Sequence, residues 1–353
     1  MGGNRGLAFD IERDLLCMAD TGGHFLSLNA AWERLLGWSR EELMSRPFME
    51  FVHPEDVGRT AEMAVMVERP DYHVVDFENR YRTKDGGWRW LRWNARSDGQ
   101  TWFAVAFDIT DQKDAEGRLR EAITGGRLLA YTQPILDQRL DRVVQEELLA
   151  RLESAEAGGP VIAADDFLPA AERSGLIGLV DRRMATEAIA LARRGRPAGV
   201  NLSARTLGDE ALTADVADEL SAAGASARDV VFEITETAAV ENLDAAREFA
   251  ARLAGIGCRF ALDDFGTGFG SLAYLRHLPL EFLKIDATFV SALTRSEADQ
   301  ALVRSIVATA REFGLRTVAE GVEDADTLRM LSHFGVDHVQ GFLIGRPRPV
   351  VPA

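Results

Sequence analysis

Apolar and polar positions follow two different rhythms along the chain, and they predict two modules. Early on, short apolar runs at 13–18 and 24–28 flank the turn Asp20-Thr21-Gly22-Gly23. A helical stripe of Trp32, Leu35, Leu36 and Leu43 follows within 29–45. Strands are predicted at 73–82, 87–97 and 101–108, with Thr83-Lys84-Asp85-Gly86 as the hairpin turn between the first two. Over 88–93 the order Trp-Arg-Trp-Leu-Arg-Trp alternates imperfectly, as a half-buried strand does. This part reads as a small α+β module.

From residue 127 the rhythm changes. Apolar strand-like runs at 131–136, 143–149, 199–203, 230–235, 259–264, 282–286, 316–320 and 338–344 alternate with helical patterns at 168–193, 209–223, 241–256, 288–313 and 324–334. Eight strands with helical crossovers predict an α/β fold, a (β/α)₈ barrel. Between the modules, 111–123 is charged and helix-prone, with Ala115, Leu119 and Ile123 at helical spacing before Gly125-Gly126. The predicted domains are 8–112, a connecting helix 113–126, and 127–353.

Chemistry in such a barrel gathers at the C-terminal ends of the strands. Those ends carry Glu147, Asn201, Glu233, Asp263, Asp264, Lys284, Glu320 and Gln340. Five carboxylates sharing one rim repel strongly, and hard divalent cations with oxygen ligands relieve that repulsion. Adjacent side chains on a regular strand point to opposite faces, so Asp263 and Asp264 can serve one site only if the strand has just ended. The glycines that follow, Gly266, Gly268 and Gly270, allow such a turn.

Composition narrows the function. The 353 residues include 46% hydrophobic ones, enough for packed cores, and a formal net charge of −16. That charge speaks against coating duplex nucleic acid or an anionic membrane. The aromatic-basic mix around 88–93 therefore reads as a packed sheet face. All six tryptophans, Trp32 to Trp102, fall in the first module. Two distant cysteines, Cys17 and Cys258, form no disulfide framework, and Cys17 reads as a buried, inert thiol. With no apolar leader and no run long enough to span a bilayer, the expectation is a soluble, cytoplasmic protein without membrane insertion.

The first module resembles a PAS domain over roughly 10–112. The resemblance is carried by Asn29-Ala30-Ala31-Trp32-Glu33, Leu36-Gly37-Trp38-Ser39, His53-Pro54-Glu55-Asp56, the stretch 80–86, and the closing Asp108-Ile109-Thr110. It implies signal reception or dimerisation, with an unspecified ligand.

The second module, from about 118 to 350, resembles the EAL domain, the phosphodiesterase family that cleaves cyclic di-GMP. The matching segments are Gln133-Pro134-Ile135, Glu147-Leu148-Leu149 with Arg151, Asn201-Leu202-Ser203, Glu233-Ile234-Thr235-Glu236, residues 263–268, Lys284-Ile285-Asp286, Glu320-Gly321-Val322-Glu323 and Gln340-Gly341-Phe342. The resemblance implies a barrel whose first strand is antiparallel, a homodimer, and two Mg²⁺ or Mn²⁺ ions. It assigns the metals to Glu147, Asn201, Glu233, Asp263 and Asp264, and catalysis to Lys284 and Glu320 together with Glu147. Gln133, Arg151, Asp181 and Gln340 would hold the substrate. Glu236 and the loop Phe265, Gly266, Thr267 and Gly268 would couple the site to a dimer interface. The expected reaction is hydrolysis of cyclic di-GMP to linear pGpG under PAS control; the alternative is a catalytically silent receptor for the same dinucleotide. Leu148, Leu152 and Gly270 depart from the residues usual in the family, and the bulkier Leu148 is expected to reshape the pocket. No cyclase motif accompanies the barrel.

Overall fold

The computed structural model describes residues 14–67, 73–156, 158–267 and 275–351. The chain divides into two units, Met1–Arg118 and Leu119–Ala353.

In the first unit, β1 (Leu15–Asp20), β2 (Phe25–Leu28), β3 (His73–Arg82), β4 (Trp88–Ser97) and β5 (Thr101–Asp108) form an antiparallel sheet in the order β2-β1-β5-β4-β3. Helices α1 (Ala31–Leu36), α2 (Arg40–Met44) and α3 (Val57–Val67) lie in sequence between β2 and β3. The helix expected over 29–45 is two helices. Gly37 ends α1 in a left-handed conformation, and Ser39 with Glu42 starts α2 through a reciprocal capping box. Trp32 is fully buried, with its ring 5.3 Å from Phe25 and 5.7 Å from Trp93. In β4 the alternation buries Leu91 and Trp93 and leaves Trp88 exposed. Cys17 is buried, and burial pushes its thiol up to about 12, as expected for an inert group.

Asp56 ties the start of α3 to β3. Its carboxylate accepts from the Arg80 backbone N–H and from Nε, each at 2.9 Å. Arg80 in turn stacks over Trp90, 5.0 Å from the ring centre. The exit from the sheet is built nearby. Asp108 Oδ1 accepts from the Thr110 N–H, and Thr110 Oγ1 accepts from the Trp90 N–H at 2.9 Å. Helix α4 (Thr110–Thr124) starts here, and Lys113 Nζ pairs with Glu78 Oε2 at 2.7 Å. The boundary between the units falls inside α4, whose Ala122 and Ile123 are buried in the core of the second unit.

The second unit comprises, in order, β6 (Leu128–Asp137), β7 (Arg142–Glu153), β8 (Val161–Ile162), α5 (Ala164–Arg173), α6 (Ile177–Ala192), β9 (Ala198–Leu202), α7 (Glu210–Ala223), β10 (Val230–Thr235), α8 (Glu236–Glu241), α9 (Leu243–Gly255), β11 (Arg259–Phe265), β12 (Phe282–Ile285), α10 (Ala287–Ser291), α11 (Glu297–Glu312), β13 (Arg316–Ala319), α12 (Ala325–Phe334), β14 (His338–Gln340) and β15 (Arg348–Pro349). Eight strands close a barrel in the order β6-β14-β13-β12-β11-β10-β9-β7, with β7 returning to β6. The first strand, β6, is antiparallel to both neighbours, and the other pairs are parallel. The expected barrel architecture is thus present.

Three expected helices are each divided in two. The pattern over 168–193 breaks at Gly175, whose φ of 70° only glycine adopts without strain. The patterns over 241–256 and 288–313 are resolved into α8 with α9 and α10 with α11, where Asn242 and Ser296 cap the second member. The last barrel strand, β14, stops at Gln340, short of the predicted 344. There the Gly341 backbone passes so close to Val322 that no Cβ fits.

The inward side chains form layers, as a period of two along each strand requires. Ile135, Val231, Ala261, Phe282 and Val318 make an apolar plug low in the barrel. Two residues further toward the mouth, every strand or its end presents a polar side chain: Gln133, Glu147, Asn201, Glu233, Asp263, Lys284, Glu320 and Gln340.

Candidate active site

Lys284 is the hub of this polar layer. Its Nζ lies 2.5 Å from Glu233 Oε2, 2.6 Å from Glu320 Oε1, 3.1 Å from Asp263 Oδ2 and 3.6 Å from Glu147 Oε1. The ammonium is 1% exposed. Burial opposes its charge, but Asp263, Glu147, Glu233 and Glu320 outweigh burial and hold it protonated. Four carboxylates thus share one cation. Glu233 is pushed well up by burial and by Glu147 and Asp263, against the pull of Lys284. Burial and the neighbouring Asp263 and Glu147 raise the Glu320 carboxyl to about 8, again against Lys284. Glu320 does not cap a helix; Asp324 caps α12.

Amides orient the remaining acid. Asn201 Nδ2 donates to Glu147 Oε1 at 2.7 Å, and Gln340 Nε2 donates to Glu147 Oε2 at 2.6 Å. Gln340 also reaches Gln133 Oε1 at 3.2 Å, and Gln133 donates to the Gly345 carbonyl.

The two adjacent acids are reconciled by a bulge, not by the end of the strand. Strand β11 continues to Phe265, but its pairing with β12 slips between Leu262 and Phe265. Asp264 sits at φ 55°, in the left-handed region that non-glycine residues rarely occupy. That turn lets consecutive side chains serve one site. Burial and its neighbours Asp263 and Asp286 raise the Asp264 carboxyl to about 6.

The donor set fits divalent cations. Glu147, Glu233 and Asp263 offer one group of carboxylate oxygens within 4.8 Å of one another, and Asp263, Asp264 and Glu320 offer a second. Asp263 belongs to both. Neither carboxylate oxygen of buried Glu233 accepts a well-formed hydrogen bond. Such hard, under-satisfied oxygens suit Mg²⁺ or Mn²⁺.

A cleft of about 610 Å³ opens beside these residues. It reaches from Asn201, Asp263 and Asp264 to Asp181 on α6. Asp181 is buried, and its Oδ2 accepts from the Ser203 N–H at 3.0 Å and from Thr206 Oγ1 at 2.5 Å. Burial nevertheless keeps its carboxyl above the usual aspartate range. Leu148 borders the cleft too; it points away from Glu147 into the layer between strands and helices, beside buried Leu152. Arg151 lies four residues beyond Glu147 on the same face of β7. It donates to the Ala150 carbonyl, and its guanidinium stands over Tyr131. Arg151 does not line the cleft. Glu236 Oε2 accepts the Gly266 N–H at 3.0 Å, and Thr267 Oγ1 donates to the Asp264 carbonyl, so this acid and loop lie together. Gly268 and Gly270 lie outside the described residues.

Closed barrel, antiparallel first strand and acid layer define the class. Residues 116–347 match the family model described as the EAL domain, and residues 25–104 match the PAS fold. The chain belongs to the EAL domain family. It is 35% identical over 253 residues to the cyclic di-GMP phosphodiesterase PdeB of Shewanella oneidensis, covering 69% of this chain and 29% of that protein. It is also 35% identical over 248 residues to the cyclic di-GMP phosphodiesterase NbdA of Pseudomonas aeruginosa, covering 68% and 31%. A solved structure of the phosphodiesterase PaMucR in complex with c-di-GMP aligns at 33% identity with a TM-score of 0.63, covering 66% of this chain and 97% of that one. The chain therefore spans less than a third of the length of these two curated relatives. Among the described residues, no helix is long and apolar enough to cross a membrane.

Proposed function

We propose that the chain hydrolyses cyclic di-GMP to linear pGpG at the mouth of its barrel, in a reaction that depends on two Mg²⁺ or Mn²⁺ ions. The observation that carries this reading is the pair of acid groups sharing Asp263. Glu147, Asn201, Glu233, Asp263 and Asp264 would hold the ions. When bound, the cations neutralise phosphodiester charge and make water acidic enough to attack at neutral pH.

This chain's own residues then divide the work. Gln340 and Asn201 fix the Glu147 carboxylate from both sides. Lys284 holds four carboxylates in register and offsets their repulsion. Glu320, with a carboxyl raised to about 8, is suited to accept the proton of the attacking water. An O–P bond forms from water, the P–O3′ bond breaks, and the released O3′ takes a proton. Gln133, Arg151, Asp181 and Gln340 would position the dinucleotide. The cleft between Asp181 and Asp264 has room for an organic ligand of nucleotide size.

Residues 8–112 would act as the sensor, 113–126 as the connecting helix and 127–353 as the enzyme. Glu236, holding the loop Phe265-Gly266-Thr267, would link the site to a homodimer interface. The test is direct. Purified chain with cyclic di-GMP and Mg²⁺ or Mn²⁺ should release pGpG, and Glu147→Ala should abolish it. Tight binding by the metal-loaded wild type without turnover, also after removal of residues 1–112, would instead identify a receptor.

A further inference from the structure

Gly199 lies on β9, and its Cα pairs with those of Glu147 on β7 and Val231 on β10. Its backbone is not left-handed, so its conformation does not require glycine. A glycine inside a strand packs nothing and costs chain entropy; close approach by another group is its usual justification. The group here is a carboxylate. A Cβ at position 199 would fall well inside contact distance of Glu233 Oε1, 3.1 Å from Glu233 Cδ, and 2.9 Å from Gln145 Nε2. Glu233 therefore leans its carboxylate over the one place in the lower layer that has no side chain.

Nothing polar fixes Oε1 there. Glu233 is 1% exposed, Oε2 meets the Lys284 ammonium, and neither oxygen accepts a well-formed hydrogen bond. Shape has to do it. Gln145, 7% exposed and two residues before Glu147 on the same face of β7, bounds the gap from the other side. A methyl group at 199 would drive the carboxylate toward Lys284 and Asp263, where the layer is already crowded.

We propose that Gly199 and Gln145 are a matched pair of positioning residues. Together they set where the Glu233 carboxylate stands, and so the geometry of the cation position shared by Glu147, Glu233 and Asp263. This role rests on the two-cation reading above. It also states a rule of exchange: a larger residue at 199 is tolerated only when residue 145 shrinks.

The full chain, stripped of metal with a chelator, is titrated with Mn²⁺ by calorimetry, with free Mn²⁺ followed by electron paramagnetic resonance. Wild type, Gly199→Ala and the double variant Gly199→Ala/Gln145→Gly are compared, and each is melted without metal. Gly199→Ala should weaken one Mn²⁺ site by about tenfold or more, the range of changes in residues that support metal ligands, while the metal-free chain, less stable through overpacking, still folds. The double variant should recover most of the lost affinity, which a merely structural defect would not do. Wild-type affinity in Gly199→Ala would overturn the pairing. If Gly199→Ala fails to fold, the double variant decides alone: folded and Mn²⁺-binding supports the pair, folded and non-binding overturns it. A wild type that binds no Mn²⁺ would overturn the two-cation reading itself, and this role with it.

Discussion

Asp264 donates its backbone N–H to Oδ1 of Asp263 at 2.9 Å while standing at φ 55°. The two acids are thus joined by a turn that only strain makes possible. A non-glycine residue in that region costs about 1 kcal/mol or more. Burial and two neighbouring acids add to the cost, as its raised carboxyl shows. Asp264→Gly removes all of this. The metal-free variant should be more stable by about 1 kcal/mol, yet turn over cyclic di-GMP at least about a hundredfold more slowly. Unchanged stability together with unchanged turnover would remove Asp264 from the site.

Lys284 sets a second expectation. Among the described residues it is the one ammonium among buried carboxylates, and losing one partner of a buried ion pair typically costs about 3–5 kcal/mol. Lys284→Met should lower metal-free stability by about that much, with part restored by saturating Mn²⁺. Chemical denaturation with and without Mn²⁺ measures both. Equal stability of variant and wild type would show that the carboxylates are already neutral without it.

The raised carboxyls fix the direction of a pH effect. Glu320 titrates near 8 and Asp264 near 6 in the folded, metal-free chain, above the roughly 3.9–4.3 of unfolded carboxylates. Between about pH 4.5 and 8 the folded state therefore holds more protons than the unfolded one. Metal-free stability should fall as pH rises through that window. Cation binding needs the deprotonated acids, so Mn²⁺ affinity should rise by up to about tenfold per pH unit from 6 to 8, with protons released. Titration calorimetry in buffers of different ionisation enthalpy counts them. A pH-independent affinity would mean the acids are ionised beforehand.

In the first unit the sign reverses. Burial alone would raise the Asp56 carboxyl, but hydrogen bonds from Arg80, and one from Arg59, hold it below the usual range. Its contribution is present above about pH 4, the unfolded value, and is lost as pH falls through the lower folded value. Arg80→Ala should cost the first unit about 2–4 kcal/mol at pH 7, and the gap should narrow in strong acid. Scanning calorimetry should show the lower-stability shift in one transition only.

How much of this was legible beforehand depends on which physical rule is at work. Period-two alternation exposes Glu147, Glu233, Lys284 and Gln340 at once, because a strand that buries Val231 or Phe282 inward must aim the residue two further on the same way. It fails at Asp264, where a left-handed φ breaks the alternation. Helix breaks at Gly37 and Gly175 carry a readable glycine, but the apolar stripe runs on unchanged on each side of it. Gly199 gives no signal of its own, since the carboxylate that fills its gap comes from the neighbouring strand. Leu148 is visible as a departure; only the fold shows that it faces the helices rather than Glu147.

The partition of tryptophan has a practical consequence. All six lie between Trp32 and Trp102, inside the first unit, while the residues proposed to hold cations and dinucleotide lie in the second. Excited at long ultraviolet wavelength, the unlabelled chain emits from its first unit alone. Any change in that emission when cyclic di-GMP meets the barrel would report a message travelling backward along the chain, with no dye attached.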